Sequence, residues 1–222
     1  MKTLSPLICS LGLAVASLLT QAAHAQETKP GDPVAAQKKV AMCIGCHGIV
    51  GYQASFPEVH RVPMISGQSA KYIAAALHAY QKGERKHPTM RGIAASLTDQ
   101  DIADISVYYE ANGKNLPAHT GKGRAPSAEV DALLKKGNCA SCHGADLNKP
   151  IDVYPKLAGQ YEDYVFVAMK SYQTEGKGPI GRGNPIMAAQ AKMFTLPELK
   201  LLANYIGSLP SDLKTVPQSK FR

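Results

Sequence analysis

The chain has 222 residues, no tryptophan, and 25 Lys and Arg against 17 Asp and Glu, a formal charge of +8. That length leaves room for one domain or two small ones, and beyond the N-terminal segment no stretch is apolar enough to span a bilayer. The basic excess is unevenly placed, with residues 113–127 carrying Lys and Arg but no acid, and a nucleic-acid partner does not follow from the charge.

The chain opens MKTLSPLICSLGLAVASLLTQAAHAQE, with Lys2, an apolar run from Leu4 to Leu19, and Ala23-His24-Ala25. This pattern makes residues 1–25 a secretory signal peptide, cut after Ala25. The mature protein is therefore expected in a bacterial periplasm, without Cys9. Asp32-Pro33 supplies a cap and a first-turn proline for a helix running through AAQKKVAM into Cys43-Ile-Gly-Cys46-His47. A polar, proline-bearing loop follows, and then a helix over about residues 69–81. His87-Pro-Thr-Met90 lies ahead of a last helix that is capped at Thr98 and stops at Asn112-Gly113. Residues 26–112 thus read as a first helical domain, and the Gly-, Pro- and Lys-rich segment 113–127 as a linker.

The second domain, 128–210, repeats the plan. Ser127 caps its first helix, which leads to Cys139-Ala-Ser-Cys142-His143. A helix over about 162–173 follows, then Asn184-Pro-Ile-Met187, and Thr195-Leu-Pro-Glu198 forms a capping box for the last helix. Residues 211–222 read as a polar tail. The two copies superimpose with only two changes of length. Cys43 matches Cys139; Pro63, Gly67-Gln68, Tyr72 and Tyr80-Gln81 match Pro155, Gly159-Gln160, Tyr164 and Tyr172-Gln173; Met90, Thr98 and Tyr108 match Met187, Thr195 and Tyr205. The chain is a duplicated unit.

Each Cys-x-x-Cys-His is the attachment signature of a c-type haem. Cys43, Cys46, Cys139 and Cys142 are the expected thioether anchors, and His47 and His143 the proximal iron ligands. Two disulfides or a shared four-cysteine zinc site are the rival uses of four cysteines in an exported chain, and neither accounts for the adjacent histidines. Two covalently held haems c would largely cancel the net charge through their propionates. They would also supply the apolar surface that units of this size lack.

The sixth ligand separates electron transfer from catalysis. Only Met90 and Met187 repeat at a suitable place, each expected in a loop reaching back to the iron. His60 and His87 are rivals without a counterpart in the second copy; Met42, Met64 and Met169 read as packing, and Met193 competes by proximity alone. The proximal imidazoles need an acceptor for their other nitrogen, and the Pro63 and Pro155 carbonyls are candidates. One pair among Tyr72, Tyr80, Tyr164 and Tyr172 is a candidate for binding a haem propionate.

With these motifs, the chain from about 32 to 209 resembles the dihaem cytochrome c4 family, tandem class I cytochromes c. The resemblance implies an all-α fold of two such domains, each wrapped around a covalently bound haem c, with axial pairs His47–Met90 and His143–Met187. It implies a periplasmic electron carrier in a respiratory chain, not an enzyme. Such a carrier takes electrons from a quinol–cytochrome c reductase or another donor, passes them toward a terminal oxidase, and is soluble or loosely associated with the membrane surface. The alternatives are a cytochrome subunit of a larger dehydrogenase, such as a flavoprotein sulfide dehydrogenase, and a dihaem redox enzyme. The stretch 48–63 departs from the family pattern in lacking an Asp-Gly turn, as does the glycine-rich expansion at 176–183.

Overall fold

The computed structural model describes residues 29–118, 121, 123–174 and 178–217. The expected signal peptide at 1–25 lies outside the described residues. The first half comprises α1 (Pro33–Ala36), α2 (Ala41–His47), β1 (Gln53–Ala54), β2 (His60–Arg61), α3 (Ala70–Gln81), β3 (Arg85–Lys86), α4 (Pro88–Ala95) and α5 (Asp99–Ala111). The second comprises α6 (Ala128–Lys136), α7 (Ala140–His143), α8 (Glu162–Gln173), β4 (Gly181–Arg182), α9 (Pro185–Lys192) and α10 (Leu196–Gly207). In the first half α3 packs against α4 and α5 and α1 crosses α5; in the second α8 packs against α9 and α10, with α6 on α10.

Local chemistry sets the helix ends. Thr98 and Thr195 each cap a last helix in a reciprocal box with Asp101 and Glu198, and Ser127 accepts the Val130 N–H. The first helix does not run unbroken into its haem motif as expected. Asp32 caps it, but the ladder tightens at once into i→i−3 bonds, Gln37 to Val34 and Lys39 to Ala36, before α2 begins. Ala36, Val40 and Ile44 remain on one buried face across the break.

The expected polar tail is packed over its described residues, 211–217, while 218–222 lie outside the described residues. Ser211 and Leu213 are buried, Lys214 pairs with Ser66 across a β-bridge, and the Lys214 ammonium donates to the carbonyls of Gly113 and Leu116. Burying Leu213 completely outweighs the low apolar content that made the segment read as solvent-facing. This strap explains the paired glycines: Gly67 (φ +83°) and Gly159 (φ +69°) are left-handed, and a Cβ would strike Asp212 O or Ser211 Cβ at 2.4 Å.

The two halves are joined by more than the linker. β3 pairs antiparallel with β4, placing Arg85 opposite Arg182. Arg61 binds Asp163 at 3.0 Å and Lys170 binds Glu58 at 2.9 Å, so the loop after the first motif docks on α8. Gln68 accepts from Lys156 N–H and donates to its carbonyl, while Gln160 does the same to Met64.

Candidate functional site

α2 ends on His47 and α7 on His143. His47 donates its Nδ1–H to the Pro63 carbonyl at 2.8 Å, and His143 its Nδ1–H to Pro155 at 2.9 Å. These are the carbonyls expected from the sequence. A carbonyl only accepts, so in each ring the proton sits on Nδ1 and Nε2 keeps its lone pair. Burial pulls both imidazoles below the ordinary histidine pKa, against the raising effect of the carbonyl. Both rings are therefore neutral and oriented, as a metal ligand needs.

The four cysteines are free and half-buried. Burial pushes the Cys43 thiol up to about 11 and raises that of Cys139. Among the described residues no group of three or more His, Cys, Asp or Glu is placed to hold a metal ion, so the four-cysteine zinc site is not formed.

Both motifs open onto one continuous cavity of about 930 Å³, which Met90 and Met187 also line. The methionines are not in loops, as expected, but in the first turns of α4 and α9. His87 and Asn184 hold them there. Asn184 Oδ1 accepts the Met187 N–H at 3.0 Å, and His87 Nδ1 accepts the Met90 N–H at 3.4 Å. This explains why a histidine and an asparagine occupy equivalent positions, since each is an N-cap. The rival His60 is buried, donates Nδ1–H to Glu58 O at 2.8 Å, and lies edge-on to His87. Met193 is 40% exposed and does not line the cavity; Met169 packs in the second core.

Between the motifs the cavity wall carries two guanidiniums that sequence reasoning missed. Arg85 donates to the Tyr72 hydroxyl at 3.0 Å and stacks on the Tyr72 and Tyr80 rings. Arg182 donates to the Tyr164 hydroxyl at 3.1 Å and stacks on Tyr164 and Tyr172. Among the described residues no carboxylate forms an ion pair with either, although both line the cavity and Arg85 is only 9% exposed. A buried Arg85 and a half-buried Arg182, both facing one apolar-walled space, call for anions to compensate them. The propionates of two haems fit that requirement, as the thiols and neutral imidazoles fit the rest of the group. The signal was available: Arg85 and Arg182 keep the register that relates Met90 to Met187.

Comparisons with known proteins agree with this geometry. The Cytochrome c family profile matches residues 127–210. Cytochrome c4 of Pseudomonas aeruginosa is 28% identical over 219 residues, covering 94% of this chain and 98% of the relative. Cytochrome c-554(548) of Halomonas halodenitrificans is 39% identical over 84 residues, 36% of this chain and 96% of the relative. The crystal structure of reduced recombinant cytochrome c4 from Pseudomonas stutzeri superimposes with a TM-score of 0.59 at 26% identity, covering 81% of this chain and 99% of that one.

Proposed function

The chain belongs to the cytochrome c4 family of dihaem class I cytochromes c, and from that premise we propose that it shuttles electrons in the periplasm between a respiratory donor and a terminal oxidase. The donor we assign is a quinol–cytochrome c reductase or an equivalent redox protein. The observation that carries this reading is the doubled arrangement around one cavity: a Cys-x-x-Cys-His with its imidazole held by a proline carbonyl, and a methionine capped onto a facing helix turn.

In this reading Cys43 and Cys46 anchor one haem c, and Cys139 and Cys142 the other. Each thiol S–H adds across a vinyl C=C, which needs no oxidant. His47 with Met90 would hold the first iron and His143 with Met187 the second. When bound, the haems supply one-electron ferrous–ferric chemistry. The protein's part is to bury them, to present a neutral thioether that favours the ferrous state, and to compensate the propionates with Arg85 and Arg182. The shared cavity would bring the two haems close enough to pass electrons internally.

The test uses the exported protein. Its mass should correspond to a chain beginning at Gln26 with two covalent haems, and the reduced protein should be oxidised by oxidase-containing membranes in a cyanide-sensitive way. Failure of such membranes to oxidise it, or co-purification with a stoichiometric flavoprotein, would replace the free-carrier reading with that of a dehydrogenase subunit.

A further inference from the structure

The two halves present the same backbone to the cavity but not the same chemistry. Gly67 N–H donates to Tyr109 O at 2.8 Å, and Gly159 N–H donates to Ile206 O at 2.8 Å. Tyr109 and Ile206 therefore occupy equivalent positions on α5 and α10, and both line the cavity. Tyr109 is 3% exposed and Ile206 is 4% exposed. The first wall thus ends in a phenol and the second in a hydrocarbon.

The Tyr109 hydroxyl is buried without a hydrogen-bond partner. An unpaired buried hydroxyl is costly, and a phenylalanine would avoid the cost. Cys43 packs against the same buried cluster as Tyr109. Burial comes first in lifting the Tyr109 pKa, with Cys43 next, whereas Tyr109 acts the other way on Cys43 and eases the rise that burial imposes on the thiol.

Resting on the reading of Cys43 as a haem anchor, we propose that Tyr109 is a tuning residue of the first haem site, donating its hydroxyl hydrogen to the sulfur of Cys43, a bond the second site cannot make because Ile206 stands in its place. A thiol can donate as well as accept, but a thioether sulfur has lost its hydrogen and only accepts. The phenol, with one hydrogen to give, then has an acceptor. Drawing electron density from a sulfur bonded to the macrocycle favours the ferrous state, as hydrogen bonding and burial do at haem and iron–sulfur centres generally. The first haem is thereby made the more easily reduced relative to its own unbonded state, while the second is left untouched.

The experiment is Tyr109→Phe in the dihaem protein, with both midpoint potentials read from one potentiometric titration. The step belonging to the first haem is identified as the one displaced in Met90→His. Phenylalanine keeps the ring and its packing, so folding and attachment of both haems should survive, checked by mass. The expected result is a shift of the first haem's oxidation equilibrium toward ferric by roughly three- to tenfold, the value of a neutral hydrogen bond, with the second midpoint unchanged. Two unchanged midpoints in a protein carrying both haems would overturn the proposal, as would equal displacement of both. Failure of the underlying haem assignment reads differently: the unmodified protein would then lack two covalent haems by mass.

Discussion

Gln160 of the second half grips Met64 of the first by both backbone groups, Met64 N–H to Oε1 at 3.0 Å and Nε2–H to Met64 O at 2.9 Å. Met64 follows Pro63, whose carbonyl holds His47. Gln68 repays the contact at Lys156, the neighbour of Pro155 and hence of His143. Each motif histidine is thus supported by a backbone segment that the opposite half immobilises. The halves are linked at the places that orient their histidines.

Removing either glutamine leaves a backbone N–H and C=O without partners at the interface. Gln160→Ala should lower the unfolding free energy of the haem-loaded protein by about 2–4 kcal/mol, read as a drop in denaturation midpoint. Gln68→Ala should behave similarly. The double variant should lose less than the sum, because both act on one interface; full additivity would show the two clasps to be independent.

The cap on the second methionine is open to direct test. Asn184→Ala removes the acceptor of the Met187 N–H and should destabilise α9 by about 1 kcal/mol. Met187 should then be displaced more readily, so cyanide should bind the second haem faster than in the parent while the first is unaffected. Asn184→Asp, which keeps an acceptor, should restore the parent rate.

Arg85 and Arg182 predict an electrostatic effect with a fixed sign. Loss of a half-buried cation beside a haem would favour the ferric form, so Arg182→Gln should lower at least one midpoint potential. A rise, or no change in either, would mean that the guanidinium does not face an anion.

Acid stability should depend on Lys39. Its ammonium binds Asp101 and Asp104, the latter at 2.9 Å. The lysine, together with the Thr98 backbone N–H and hydroxyl, holds Asp101 down to about 2. Burial works against ionised Asp104, but the Asp32 N–H, Gln100 and Lys39 outweigh it and keep it below the usual range. A depressed carboxylate contributes fully above its unfolded pKa, near 4, and loses that contribution as pH falls through the folded value. Stability should therefore fall between about pH 4 and pH 2, by about 1–2 kcal/mol for Asp101. Asp101→Asn should flatten that limb of the pH profile.

Much of this was legible because covalent chemistry and capping are local. The two Cys-x-x-Cys-His motifs, the Thr98 and Thr195 boxes and the proline carbonyls lie within short stretches of chain, and spacing alone locates them. What spacing could not supply was contact between the halves. The Gly67-Gln68 and Gly159-Gln160 repeats were visible, yet their meaning depends on a partner in the opposite copy. Arg85 and Arg182 were in register, yet their place in the cavity wall depends on the β3–β4 pairing between the halves and on the tyrosine rings packed against them. The tail was misread because one completely buried Leu213 outweighs its polar neighbours. His87 was weighed as a ligand without a counterpart in the second copy, because the capping role it shares with Asn184 shows only in the folded chain.

The most direct test of the account is the optical and magnetic-resonance spectrum of the oxidised protein before and after cyanide. Met/His ligation at both sites predicts two low-spin haems, a sulfur-to-iron charge-transfer band, and slow uptake of the added ligand. A high-spin component that takes cyanide at once would contradict it, showing that Met90 or Met187 leaves an iron position open.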